Sequence, residues 1–219
     1  MSTRPAPPAE DVEKKKFKES PKDIIARILW WWIPCFWTTV HAVSLLESYV
    51  ILTTRYPALQ SLPAAISSPC SDLTNKVHLT PLSLAAFVLG FVGFYLRTES
   101  FSELGRQFTF ELSMQQKHKL VTTGPYAIVR HPGYAGSLIN FPGVAILFFG
   151  PGSLWAECDL WQTTVGKTLG YTWFGLFAII LPLFVWRVPK EDAALREEFK
   201  DEWKAWAQKT RYKLLPGIY

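Results

Sequence analysis

Four apolar stretches, at residues 24–52, 79–96, 134–149 and 165–186, decide what this 219-residue chain can fold into. A helix needs about 20 apolar residues to cross the hydrocarbon core of a bilayer. Inside lipid each backbone polar group needs an internal partner, so such stretches become helices. The expected fold class is all-α, a polytopic membrane helix bundle with the bilayer as its solvent. Ten Trp and fifteen Phe suit that setting, and charge is confined to blocks between the apolar stretches.

Those charge blocks set the orientation. Residues 1–22, the connection 97–133 and the tail 187–219 hold nearly all the Lys and Arg. The loop 53–78 has only Arg55 and Lys76, and 150–165 has neither type. Four spans with both termini cytoplasmic satisfy the positive-inside rule at every loop. The formal charge of +5 is thereby explained without a nucleic-acid partner. No Gly-rich phosphate loop, zinc-finger spacing or dinucleotide fingerprint is present.

Three segments follow from this layout. Residues 1–22, with Lys14, Lys15 and Lys16 in a run, read as a disordered cytoplasmic tail, and their polarity argues against a cleavable signal peptide. Residues 23–97 hold the first two spans and their loop, and 98–219 hold the functional core, two further spans and a C-terminal helix. Cys35, Cys70 and Cys158 have no paired spacing, so neither a zinc site nor a disulfide framework is indicated; Cys70 and Cys158 share one side and can pair there. His41 and Glu47 are polar within the first span, where such residues are functional by default or else satisfy a neighbour. Asn140 and Pro142-Gly143 interrupt the third stretch. In the tail, Leu195, Phe199, Trp203 and Trp206 recur at helical spacing, giving an amphipathic helix over about 189–208 that lies on the bilayer or across the motif described next. Pro189 is expected to separate it from the fourth span, with Arg187 closing one helix and Glu191 opening the next.

Residues 118–136 fit neither a span nor a plain loop. Two Pro residues push their predecessors out of the α region, and Gly124, Gly133 and Gly136 permit positive φ or close backbone approach. His118, Tyr126, Arg130, His131 and Tyr134 remain as groups able to hold a polar ligand.

The order His118-x-Leu-Val-Thr-x-Gly-x-Tyr126, then Arg130-His-Pro-x-Tyr134-x-Gly136, resembles the isoprenylcysteine carboxyl methyltransferase family. These membrane enzymes methylate the C-terminal prenylcysteine of processed CaaX proteins. A second block, Arg187-x-x-x-Glu191-Asp-x-x-Leu195, with the Trp203/Trp206 pair and a Leu-Pro-Gly ending, extends the resemblance over roughly half the chain. It implies S-adenosyl-L-methionine as methyl donor, a cytoplasmic cofactor-binding motif, a prenylated protein C-terminus as substrate and the endoplasmic reticulum membrane as location. Donor contacts are implied at His118, Lys119, Leu120, Val121, Gly124, Tyr126, Arg130, His131, Pro132, Gly133 and Tyr134. A polar position about seven residues before His118 is Glu111; the family often carries an amide there, which Gln115 and Gln116 also offer. Arg187 and Glu191 are implied as the catalytic pair at the substrate end.

The residue chemistry agrees. Arg130 or His131 suits the donor carboxylate, and aromatic faces suit adenine. The acceptor is an α-carboxylate of ordinary pKa about 3.5, ionised at neutral pH, so alignment and exclusion of water matter more than a base. Arg187 offers a planar fork to that carboxylate. Arg187 and Glu191 are also four apart, the spacing of a helix-surface ion pair worth a few tenths of a kcal/mol. Two other functions fit parts of the pattern. A phospholipid N-methyltransferase of the phosphatidylethanolamine type needs a base of near-neutral pKa beside the methyl group. A non-catalytic membrane scaffold or lipid-binding protein has no need of the whole donor motif.

Overall fold

The structure is a computed structural model that describes residues 24–56, 77–107 and 119–219. The tail 1–22, most of the loop 53–78 with Cys70, and Glu111, Gln115, Gln116 and His118 lie outside the described residues. Among the described residues the regular structure is helical, without strands. Its helices are α1 (Ile24–Arg55), α2 (Pro81–Leu104), α3 (Pro132–Phe149), the one-turn α4 (Leu154–Glu157) and α5 (Thr164–Lys209). Three stretches are long and apolar enough to cross a membrane: Pro81–Leu104, Pro132–Glu157 and Thr164–Lys209. α1 covers the first apolar stretch with 32 residues, about 48 Å at 1.5 Å per residue, a crossing length as well.

Two sequence expectations are corrected. α3 runs through Asn140 and Pro142-Gly143 unbroken. The polar group is satisfied across a helix pair, since Asn140 Nδ2 donates to the Gly90 carbonyl at 2.8 Å. The small residue serves the same contact: a Cβ on Gly143 would lie 2.5 Å from Gly90 N. Likewise, Pro189 does not separate the fourth span from the C-terminal helix. α5 continues through Pro182 and Pro189, and its backbone breaks only at Lys200 (φ 45°, ψ −109°). Both prolines are exposed and two turns apart, so the carbonyls they leave unpaired fall on the outer side of the helix. Arg187 and Glu191 therefore lie one turn apart on a single helix.

The chain forms two compact units. Of the described residues, the first comprises 24–31, 92–107, 119–138 and 180–219. Val129, Ala135, Val188 and Leu214 form its core, with Leu96, Tyr134, Leu138 and Leu215 against them. The second comprises Trp32–Phe91 and Ile139–Ile179. Leu154 and Cys158 are buried there beneath Tyr49, Val77 and Leu160. Phe149 packs against Trp155, Trp161 and Phe174 at centroid distances of 5.0, 5.5 and 5.2 Å. Cys158 is disulfide-bonded and Cys35 is free. The spacing indicates no disulfide framework, yet Cys158 is committed to a disulfide.

Glu47 has a structural task in this second unit. Its Oε1 accepts the Leu154 N–H at 3.0 Å, while Ser153 Oγ accepts that of Ala156 at 3.2 Å. Together they cap α4, whose first N–H groups lack helical partners. Glu47→Ala is expected to lower stability by about 1 kcal/mol, whereas Glu47→Gln keeps an acceptor and stays near wild type. Thermal unfolding in detergent measures this, and methyl transfer by the folded fraction should be unchanged in both variants.

Candidate active site

The first unit brings the motif and the tail together. α3 starts with Pro132, whose missing N–H is no loss at a first helical position. The His131 carbonyl then accepts from Tyr134 N at 3.2 Å and Ala135 N at 3.0 Å. The N–H groups of Arg130 and His131 point away from the helix to the carbonyls of Tyr212 and Lys213, at 2.9 and 2.8 Å. The strap after α5 thus fixes the backbone of the Arg-His pair, leaving neither N–H free for a ligand.

The preceding turn is held from two sides. Gly124 has φ +56°, and a Cβ on it would fall 2.7 Å from Glu103 Oε1. Glycine is favoured at that left-handed position at the start of the 3₁₀ turn Gly124–Ala127. Thr123 Oγ1 donates to Glu103 Oε2 at 3.0 Å, and Trp206 Nε1 donates to the Tyr126 carbonyl at 3.1 Å. The amphipathic end of α5 therefore packs across the motif. The Tyr126 hydroxyl reaches the Ser100 carbonyl at 3.5 Å. Burial pushes this phenol well above its ordinary pKa, with Glu191 and Glu103 adding to the shift and Arg97 opposing it, so it stays protonated at neutral pH.

Gly133 and Gly136 do different work. A Cβ on Gly133 would meet only ordinary contacts, the nearest at 3.6 Å on Phe101. On Gly136 it would lie 2.6 Å from Gly93 O, so α2 and α3 touch backbone to backbone there. The same approach lets Arg97, at the end of the second apolar stretch, bond Gly133 O at 2.9 Å and Ser137 Oγ. Its guanidinium also covers the Phe101 ring at 4.6 Å. Arg97 reads in sequence as a positive-inside residue, and its place on the motif needs the contact at Gly136.

The two sequence blocks meet at Tyr134. Its hydroxyl donates to Glu191 Oε2 at 2.9 Å. Its ring stacks with those of His131 and Phe184, at 6.0 and 5.3 Å with interplanar angles of 20° and 26°. Arg187, 5% exposed and one turn before Glu191, acts electrostatically on the same phenol, as does Arg97. Glu191 is thus bonded to the motif, and Arg187 lies one turn before it on the same helix.

Asp192 is the residue that sequence reasoning left without a role. Its Oδ1 is 3.0 Å from His131 Nε2 and its Oδ2 3.3 Å from Arg130 Nη1. His131, Asp192 and Arg130 are all buried. Arg130 also faces the Trp203 ring at 5.5 Å, and its Nε is buried without a hydrogen-bond partner among the described residues. Asp192, Arg196, Trp203 and Lys213 help line a cavity of about 460 Å³. The signal for Asp192 was its place directly after Glu191 in the quoted block. Of the remaining implied contacts, Lys119 donates its N–H to Gln107 Oε1 at 2.6 Å, and Leu120 and Val121 are half-buried.

A family model described as phospholipid methyltransferase matches residues 82–165. A "Probable protein-S-isoprenylcysteine O-methyltransferase" of Oryza sativa subsp. indica is 30% identical over 173 residues, which cover 78% of each chain. The "Protein-S-isoprenylcysteine O-methyltransferase B" of Arabidopsis thaliana is 28% identical over 178 residues, 78% of this chain and 79% of the relative. Its A counterpart in the same plant is 24% identical over 180 residues. No solved structure matches the chain. The similarity extends well beyond the half of the chain that carries the motifs, and with such coverage the chain belongs to the protein-S-isoprenylcysteine O-methyltransferase family.

Proposed function

We propose that the protein methylates the C-terminal carboxylate of prenylated cysteine in processed CaaX proteins, with S-adenosylmethionine as donor. The observation that carries this reading is the joining of the motif to the Arg187 block through the Tyr134–Glu191 hydrogen bond. One small volume then holds a cation suited to an acceptor carboxylate, a carboxylate suited to an ammonium, and stacked aromatic rings.

The residues present fit the donor. Arg130 Nε is a buried donor lacking a partner among the described residues, and it suits a carboxylate. Glu191 suits the ammonium, and the Tyr126 and Tyr134 rings suit the adenine face. His131, Pro132, Gly133, Lys119, Leu120, Val121 and Gly124 complete the donor side, with Glu111 and His118 implied by the resemblance. When bound, S-adenosylmethionine supplies an electrophilic methyl group. Arg187 orients the acceptor carboxylate, which is already ionised, so no side chain has to remove a proton. The prenyl chain enters from the bilayer between the spans.

Loop charge supports a cytoplasmic side for both termini and the donor motif, and the endoplasmic reticulum is the membrane the reading favours. The disulfide at Cys158 supports that topology, because the lysine- and arginine-free loop would then face an oxidising lumen.

The test is methyl transfer from labelled S-adenosylmethionine in membranes, with farnesylated cysteine analogue and phosphatidylethanolamine offered in parallel. Base-labile label on the cysteine analogue is expected. Label confined to phospholipid would overturn the acceptor, turning the reading toward the phospholipid methyltransferases that the family model names. Donor binding without any transfer would overturn the activity itself.

A further inference from the structure

We propose that Asp192 is a positioning residue of the donor site, which holds the His131 ring in one tautomer and one orientation. This rests on the reading of His131 as a donor contact. The two carboxylate oxygens of Asp192 are divided: Oδ2 takes Arg130 Nη1 at 3.3 Å and Oδ1 takes His131 Nε2 at 3.0 Å. Arg130 anchors the carboxylate, and the carboxylate anchors the ring. With Nε2 carrying the proton toward Asp192, the Nδ1 lone pair of the neutral imidazole becomes the acceptor the ring can offer a ligand.

Neighbouring residues on α5 divide the task. Side chains at consecutive helix positions leave the axis about 100° apart. Glu191 reaches Tyr134 while Asp192 reaches His131, so adjacent carboxylates hold both polar residues of His131-Pro-x-Tyr134, one bond each. Stability alone does not explain the arrangement. A buried ion pair gains little over apolar packing, because desolvation offsets the attraction. Three buried polar groups in one cluster make sense where orientation is what they supply. The ring stack of His131 on Tyr134 transmits it to the second ligand-facing side chain.

The substitution Asp192→Asn separates this role from mere packing. An amide offers one oxygen, and the charged Arg130 has the stronger claim on it. The amide N–H would then face His131 Nε2, moving the ring proton to Nδ1. The chain has four histidines, so ¹⁵N imidazole shifts of the labelled protein in micelles can resolve this ring. We expect an Nε2-protonated His131 in wild type and an Nδ1-protonated one in Asp192→Asn. Donor affinity, read by calorimetry with S-adenosylhomocysteine in nanodiscs, should fall about ten-fold or more, the loss when one charge-assisted bond is misdirected. The acceptor KM should stay within about two-fold. Asp192→Glu, which keeps both charges paired, should recover most of the donor affinity even if Asp192→Asn folds poorly. His131→Ala should weaken donor binding, and adding Asp192→Asn to it should cost nothing further, since the effects couple. Independent, multiplying losses would overturn the positioning role, as would an unchanged tautomer. Donor binding unaffected by His131→Ala would instead remove His131 from the donor site, and the proposal with it, while leaving ester formation intact.

Discussion

Arg187→Ala is expected to slow ester formation on a prenylcysteine acceptor by about 10²–10³-fold, while donor affinity stays within about two-fold. Arg187 is almost fully buried one turn before Glu191, and it acts electrostatically on the Tyr134 phenol. A cation there can hold two carboxylate oxygens in one plane and leave the attacking lone pair aimed at the methyl group. Arg187→Lys keeps the charge but loses the fork, so it should recover only a small part of the rate. The measurement is single-turnover methyl transfer with donor and acceptor varied separately, beside calorimetric donor binding. Loss of donor binding in Arg187→Ala would move the residue to the donor side of the site. Thermal unfolding guards against a trivial result, since deleting a buried charge can leave another unpaired.

Gly136→Ala is the second large effect. The new Cβ would sit 2.6 Å from Gly93 O and 2.8 Å from Arg97 N. Backbone on a packed helix cannot yield as a side-chain tip does, so α3 must move off α2. Overpacking of this kind costs about 1–3 kcal/mol. The cost to function should be larger. Arg97 holds Gly133 O and Ser137 Oγ across this contact, and a shift of about 1 Å in a reacting site costs about 10²-fold in rate. Gly175→Ala is the matched control, because its Cβ would meet nothing within 4 Å. It should gain the few tenths to 1 kcal/mol that alanine brings to a helix and leave transfer unchanged. Equal stability and activity in the two variants would mean that the α2–α3 contact does not position the motif.

The contacts of Glu47, Asn140, Arg130 and His131 share one physical origin. Glu47, polar inside an apolar stretch, reads as a functional candidate, yet its partner is a backbone N–H 107 residues away. Asn140 reads as a break in a span, yet it bonds a carbonyl 50 residues away and the helix continues. Arg130 and His131 read as polar groups able to hold a ligand, and both also bond Asp192 from α5. In each case the residue type announced a polar need, and the group meeting it came from a distant part of the chain.

Local composition and short spacing set the class of the molecule. Apolar stretches of bilayer length admit only helices, and the His118 to Gly136 pattern with the Arg187 block points to the family. These are properties of local composition and short spacing, which a linear string records fully. The tertiary structure alone decided how the two halves of the site meet. Tyr134 on Glu191, His131 and Arg130 on Asp192, Trp206 on the Tyr126 carbonyl and Arg97 on Gly133 join residues 36 to 80 positions apart. Which buried polar group finds which partner depends on where helices cross and how closely glycine lets them approach. Distance along the chain carries no trace of that.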